Sequence, residues 1–158
     1  MIVLVTTSGG RYFEELVTEL VAKNPHIKSI IQNINKSTGN AVLGPKSKLL
    51  YGKETRTDKI GNLEFEISAR SFYQVNPVQT QVMYQKVMDY IGLTGEEIVF
   101  DIYCGIGTIS LFLAQKAKKV YGIEIVPEAI EDANRNAEIN NLTNTEFICG
   151  NAQEVVPE

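Results

Sequence analysis

The chain has few of the residues from which most metal, redox and triad chemistry is built: one histidine, His26, and two cysteines, Cys104 and Cys149, in 158 residues. Two cysteines so far apart make neither a disulfide framework nor a metal-ligand pattern, and a single histidine removes most zinc and nucleophile–base arrangements. Positive charge is also scarce, with 15 Lys and Arg against 19 Asp and Glu and a net charge of −4. The basic stripe that usually marks a nucleic-acid surface is therefore missing from this chain. No apolar run approaches the roughly 20 residues that a membrane helix needs. The apolar start at Met1 to Val5 is short and has no basic flank, so it reads as a strand rather than a signal peptide. These absences predict a soluble, cytoplasmic protein without membrane contact. A hydrophobic content of 44% supports the core of one ordinary domain or two small ones.

What is present is concentrated between Ile98 and Asn151. The chain reads Ile98-Val99-Phe100-Asp101-Ile102-Tyr103-Cys104-Gly105-Ile106-Gly107-Thr108, then Val120-Tyr121-Gly122-Ile123-Glu124, then Phe147-Ile148-Cys149-Gly150-Asn151. This is strand, glycine turn, helix, strand ending in an acid, helix, strand: the layout of a nucleotide-type cofactor site. A dinucleotide turn wants a third glycine so that helix and strand pack closely around a pyrophosphate, and Ser110 stands at that position here. S-adenosylmethionine has no phosphate. Backbone amides after Gly107 need only meet its carboxylate, and an acid such as Asp101 suits its ammonium group. Glu124, about twenty residues past the turn, is placed to accept ribose hydroxyls in either family. The pattern favours S-adenosylmethionine over a dinucleotide.

The rest divides into two expected units, residues 1–69 as a small α/β domain and 70–158 as the first part of a Rossmann-like α/β domain. In the first, Ile2 to Thr6 reads as a strand, and Phe13, Leu16, Val17, Leu20 and Val21 recur at helical spacing up to Lys23. Ile27 to Ile34 reads as the next strand, Ala41–Leu43 and Lys48–Tyr51 as a hairpin about Gly44-Pro45, and Leu63–Ile67 as one more strand. In the second, Asn76 caps a helix that has Pro77 in its first position and stops at Gly92. A strand at Ile98–Tyr103, a helix at Thr108–Gln115, a strand at Lys119–Ile125, a helix from Pro127 to near Asn140-Asn141 and a strand at Glu146–Cys149 follow. Both cysteines are expected to be small buried hydrophobes, and His26 a surface loop residue. One of Phe72 and Tyr73 is expected to pack in the core, leaving the other able to stack on a base. Arg70 reads equally as a phosphate contact or as a solvated side chain.

Arg70-Ser71-Phe72-Tyr73-Gln74-Val75-Asn76-Pro77, with Asp101-Ile102-Tyr103-Cys104-Gly105-Ile106-Gly107-Thr108 and Glu124-Ile125-Val126-Pro127-Glu128-Ala129, resembles the S-adenosylmethionine-dependent RNA (uracil-5-)-methyltransferases. The resemblance spans essentially the whole chain, its first unit matching that family's central domain. It implies methyl transfer to C5 of a uridine in ribosomal or transfer RNA. It also implies that Gln74, Asp101, Tyr103, Gly105, Gly107, Thr108, Glu124 and Asn151 line the cofactor, and that Phe72, Gln74 and Asn76 face the target base. In that family the cysteine that adds to uracil C6, the general base and an Asp-Pro-Pro-Arg segment all lie beyond the third strand. The resemblance thus predicts an internal piece of a longer enzyme, inactive by itself, in which the edge of Ile98–Tyr103 self-associates, is locally disordered, or is covered by the first unit or the helix from Pro77 to Ile91. Two alternatives stay open: a methyltransferase with another acceptor, and a non-catalytic module that binds S-adenosylmethionine or RNA.

Overall fold

The computed structural model describes residues 1–10 and 13–156. Two compact units form, Met1–Arg56 with Ser68–Arg70, and Thr57–Ile67 with Ser71–Glu158. The division differs from the expected one at 69 and 70. Ile60, Leu63, Phe65 and Ile67 are buried in the same core as Tyr84, Leu111 and Val120, so residues 57–67 go with the second unit.

In the first unit β1 (Ile2–Thr6), α1 (Glu14–Lys23), β2 (Ser29–Ile34) and β3 (Lys46–Gly52) build a three-stranded sheet in the order β1-β2-β3. β1 runs parallel to β2 and β3 antiparallel to it. The central strand is buried along nearly its whole length, so its two amide side chains must find partners inside. Gln32 donates to Thr6 Oγ1 at 3.0 Å and to the Ser8 carbonyl at 3.2 Å. Asn33 accepts from the Gly44 amide at 2.7 Å and donates to the Gly44 carbonyl at 2.9 Å and to Ser47 Oγ at 3.0 Å.

That clamp explains why Ala41–Leu43 is not the strand of a hairpin. A Cβ at Gly44 would stand 1.9 Å from the Ile34 carbonyl oxygen, so the chain passes here only as glycine. The carbonyls of Ala41 and Val42 bond to the Asn35 side chain at 2.7 and 3.2 Å rather than to a partner strand. The segment Lys46–Gly52 pairs with β2 instead. The exposed Arg70 is tied to this segment, its guanidinium donating to the Gly44 carbonyl.

β4 (Thr55–Ile60) and β5 (Leu63–Ser68) form a two-stranded sheet turning at Gly61, whose φ is +61°, and their residues 57–67 open the second unit. β4 was not expected. Then comes α2 (Pro77–Ile91), where the Asn76 side chain accepts the Gln79 amide at 3.1 Å and Gly92 closes the helix at φ +62°. The stripe Thr80, Tyr84 and Met88 is the buried face of this helix. β6 (Ile98–Ile102), α3 (Thr108–Ala114), β7 (Lys119–Glu124), α4 (Pro127–Ile139), β8 (Thr145–Cys149) and the short α5 (Ala152–Val155) complete it. The three strands are parallel, in the order β6-β7-β8.

β6 is therefore an edge strand of this sheet. Its alternate residues Ile98, Phe100 and Ile102 are exposed, whereas Val99 and Asp101 between them are half-buried. Phe100 stacks on Tyr121 of the neighbouring strand with ring centroids 5.3 Å apart. Cys104 is buried as expected, but Cys149 is exposed, because it is the last residue of β8 where helix cover ends.

Candidate functional site at the ends of the parallel strands

Ligands of open parallel sheets sit outside the carboxyl ends of the strands, and the glycine turn lies at the end of β6. Three of its residues take left-handed backbone angles: Tyr103 at φ +72°, Gly105 at +55° and Gly107 at +79°. For a bulky residue such as Tyr103 this conformation is costly and persists only where neighbours impose it. They do so here through the Ile123 carbonyl of β7, which accepts the amides of both Tyr103, at 2.8 Å, and Cys104, at 3.0 Å. The Tyr103 ring is left 72% exposed over the turn.

Glu124 closes β7 beside this turn. One carboxylate oxygen accepts the Gly105 amide at 3.2 Å, and the other accepts the amides of Ile125 and Val126 at 2.9 and 3.1 Å. The acid is thus fixed in orientation by three backbone donors, one of them inside the glycine turn. The Gly150 amide donates to the Glu124 carbonyl at 3.0 Å, which draws the end of β8 to the end of β7.

Asp101, next to last in β6, is half-buried. Burial raises its pKa, and a hydrogen bond from Ser110 Oγ opposes that rise. Ser110, the residue at the missing third glycine, is fully buried and anchors the first turn of α3 to β6. Thr108 Oγ1 shares a hydrogen bond of 2.8 Å with the Tyr84 hydroxyl of α2, and burial raises the pKa of that phenol. Burial first, then the carboxylates of Asp101 and Glu124, push the Cys104 thiol up to about 12.

Hydrogen bonds among the described residues connect Gly105 with Glu124, Asp101 with Ser110, and Thr108 with Tyr84. None connects Phe72, Gln74, Asn76 or Asn151 with the turn. Phe72 is 78% exposed, Tyr73 is buried against Phe65 with centroids 6.3 Å apart, and Gln74 is half-buried in the same loop. Asn76 caps α2, and Asn151 caps α5 by accepting the Gln153 amide at 3.1 Å. Sequence reasoning missed Ser110 as a partner of Asp101, and Tyr84. The second was signalled by the four-residue recurrence of Thr80, Tyr84 and Met88, the first only by its place one helical turn past Gly107. No group of three or more His, Cys, Asp or Glu able to hold a metal exists among the described residues.

Residues 93–158 match the family model of a methyltransferase domain. The chain is 60% identical over 143 residues to an uncharacterized RNA methyltransferase of Bacillus cereus, covering 90% of this chain and 31% of that protein. It is 55% identical over 159 residues to an uncharacterized RNA methyltransferase of Oceanobacillus iheyensis, covering 100% of this chain and 35% of that one. The chain spans about a third of the length of the curated relatives it matches. Among solved structures it is similar to a Pyrococcus abyssi tRNA (uracil-54, C5)-methyltransferase in complex with S-adenosyl-L-homocysteine. That match has a TM-score of 0.77 and 29% identity, over 97% of this chain and 36% of the other. A Methanocaldococcus jannaschii tRNA m1G37 methyltransferase matches at a TM-score of 0.64 and 20% identity, over 99% of this chain and 48% of the other, a likeness of fold alone. Taken with the parallel order β6-β7-β8 and the glycine turn at the end of β6, these matches give the second unit the Rossmann-like methyltransferase fold.

Proposed function

We propose that this chain is the cofactor-binding part of an RNA methyltransferase that uses S-adenosylmethionine and acts at C5 of a uridine. The observation that carries the reading is Glu124, a strand-end carboxylate locked by the amides of Gly105, Ile125 and Val126. A fixed carboxylate beside a glycine turn suits a ribose diol, and the exposed Tyr103 ring next to it suits adenine or the methionine chain. The residues present fit the cofactor. Asp101 places a half-buried carboxyl group near the turn for an ammonium group, and no third glycine makes room for a pyrophosphate. The relatives named as RNA methyltransferases and the tRNA (uracil-54, C5)-methyltransferase neighbour support RNA as the acceptor class.

The cofactor supplies an electrophilic methyl group on a sulfonium. Uracil C5 becomes nucleophilic only after a thiolate adds at C6, and a base must then take the C5 proton as the thiolate leaves. Cys104 does not serve as that thiolate, with its thiol buried and pushed up to about 12. Cys149 lies at the end of β8 with its thiol directed to the Ile125 carbonyl at 3.7 Å. The nucleophile and base therefore belong, in this reading, to parts of the longer proteins outside the matched third. This chain's own residues orient the cofactor, with Glu124 at the ribose, Asp101 at the ammonium and Tyr103 over the turn, while Phe72 presents an aromatic face to RNA.

Isothermal titration with S-adenosylhomocysteine tests the cofactor half. Binding that is saturable, lost in Glu124→Ala and absent for NAD is expected; equal heats for NAD and S-adenosylhomocysteine would overturn it. The acceptor half is read by RNA carrying tritium at uracil C5, incubated with the full-length gene product and S-adenosylmethionine. Substitution at C5 releases tritium to water, and methyl incorporation without tritium release would point to another acceptor atom.

A further inference from the structure

The polar side of α4 carries an arrangement that neither the glycine turn nor the acids explain. Asn136 is fully buried. Its Oδ1 accepts the Glu66 amide at 2.8 Å, and its Nδ2 donates to the Glu66 carbonyl at 3.3 Å and to the Ile106 carbonyl at 3.2 Å. One helical turn later, Asn140 Oδ1 accepts the Glu64 amide at 2.9 Å and Nδ2 donates to the Glu64 carbonyl at 2.6 Å. One turn earlier, Asp132 accepts the Ser71 hydroxyl at 2.8 Å and is paired with Arg135.

The spacing has a simple cause. Four residues along a helix advance about 6 Å. Two residues along a strand advance about 6.6 Å, and alternate residues offer their amide and carbonyl to the same edge. Side-chain amides at 136 and 140 therefore fall in step with Glu66 and Glu64, each supplying the donor and acceptor that a neighbouring strand would have supplied. In this way α4 closes the open edge of β5. The third step of the same stripe, Asp132, receives Ser71, which begins the segment Ser71–Asn76.

Asn136 differs from its neighbours in one respect: its remaining amide hydrogen reaches the carbonyl between Gly105 and Gly107. We propose that Asn136 is a positioning residue that couples the glycine turn to β5, and so to the segment carrying Phe72 and Gln74. The proposal rests on the reading of the turn as a cofactor site. Through this amide, the placement of the turn and the course of the chain into Ser71 are set by one buried side chain.

Asn140 supplies the control, because Asn140→Ala removes the same pair of strand bonds but none to the turn. In 1H–15N spectra of the 158-residue chain, Asn136→Ala is expected to shift the Gly105 and Gly107 amides while Asn140→Ala leaves them in place. In titrations with S-adenosylhomocysteine, Asn136→Ala is expected to raise Kd on the order of tenfold, as the loss of one buried hydrogen bond would, and Asn140→Ala to leave it within twofold. If Asn136→Ala does not fold, Asn136→Ser must give the same contrast in smaller measure. Equal amide shifts in the Asn136 and Asn140 variants would overturn the proposal. Absence of binding by the parent chain as well would instead count against the cofactor reading, and the amide shifts would still decide the coupling.

Discussion

The ring of Phe147 fills the space that a side chain on Gly122 would need: a Cβ there would stand 2.4 Å from Phe147 Cδ1 and 2.9 Å from Cys104 Sγ. The same ring lies 3.0 Å from a Cβ built on Gly107. One aromatic of β8 thus packs on a glycine of β7 and a glycine of the turn after β6. Gly122→Ala is expected to destabilise the fold by about 1–3 kcal/mol, the usual cost of overpacking. Phe147→Leu in the same chain should recover part of that loss. Urea midpoints of the two variants provide the measurement, and equal midpoints for Gly122→Ala and the parent would refute the packing account.

Asp101 gives a pH dependence of defined sign. Burial raises its folded pKa above the ordinary 3.8, so the folded chain holds the proton more tightly than the unfolded one. The stability associated with this group is full below the ordinary value and is lost as pH rises through the folded value. Asp101→Asn keeps an acceptor for Ser110 and cannot ionise. Its urea midpoint is expected to fall less than the parent's between acidic and neutral pH. Affinity for S-adenosylhomocysteine should move the other way, rising with pH in the parent as Asp101 ionises and staying flat in Asp101→Asn.

The two cysteines should separate cleanly by alkylation. Cys149 is exposed, and Cys104 is buried with its thiol pushed up to about 12. Iodoacetamide at neutral pH is expected to label Cys149 alone in the folded chain and both residues in urea, as read by peptide mass spectrometry. Native labelling of Cys104 at a comparable rate would contradict the burial described for the turn.

Phe72 and Tyr73 are adjacent in sequence and opposite in environment. Tyr73→Ala should cost roughly 3–5 kcal/mol as a large-to-small change in a core. Phe72→Ala should stay within about 0.5 kcal/mol of the parent, as an exposed position does. In the full-length gene product Phe72→Ala is expected to weaken RNA binding in filter assays without changing S-adenosylhomocysteine affinity. A parallel loss of both affinities would show that the residue does not act on RNA.

The cofactor half of the fold was legible because its signals are local. The Asp101–Gly107 spacing, the acid ending β7, and Asn76-Pro77 ahead of α2 each report on residues near in sequence. What escaped depends on distant partners. Ala41–Leu43 is a short apolar run ahead of Gly44-Pro45, as in one arm of a hairpin, yet Asn33 and Asn35 fix the carbonyls and the glycine beside it. β4 escaped because Thr55-Arg56-Thr57-Asp58-Lys59-Ile60 buries only its last residue. Asn136 and Asn140 read as ordinary polar positions of a helix until β5, some seventy residues earlier, is laid beside them. The expected burial of Cys149 failed for a simpler reason: the apolar run of β8 continues to a residue that packing does not reach.

The bare edge of β6 is expected to make the behaviour of this chain depend on dilution. Two copies meeting antiparallel along Ile98–Ile102 would satisfy each other's free amides and carbonyls while joining their Phe100 rings, 53% exposed in the single chain, into one apolar surface. Sedimentation velocity across a hundredfold range of concentration is expected to show association that Phe100→Lys suppresses, and a parent chain that stays monomeric throughout would remove the expectation. Titrations at calorimetric concentrations would then report on a mixture, and apparent cofactor affinity would drift with protein concentration in the parent but not in Phe100→Lys.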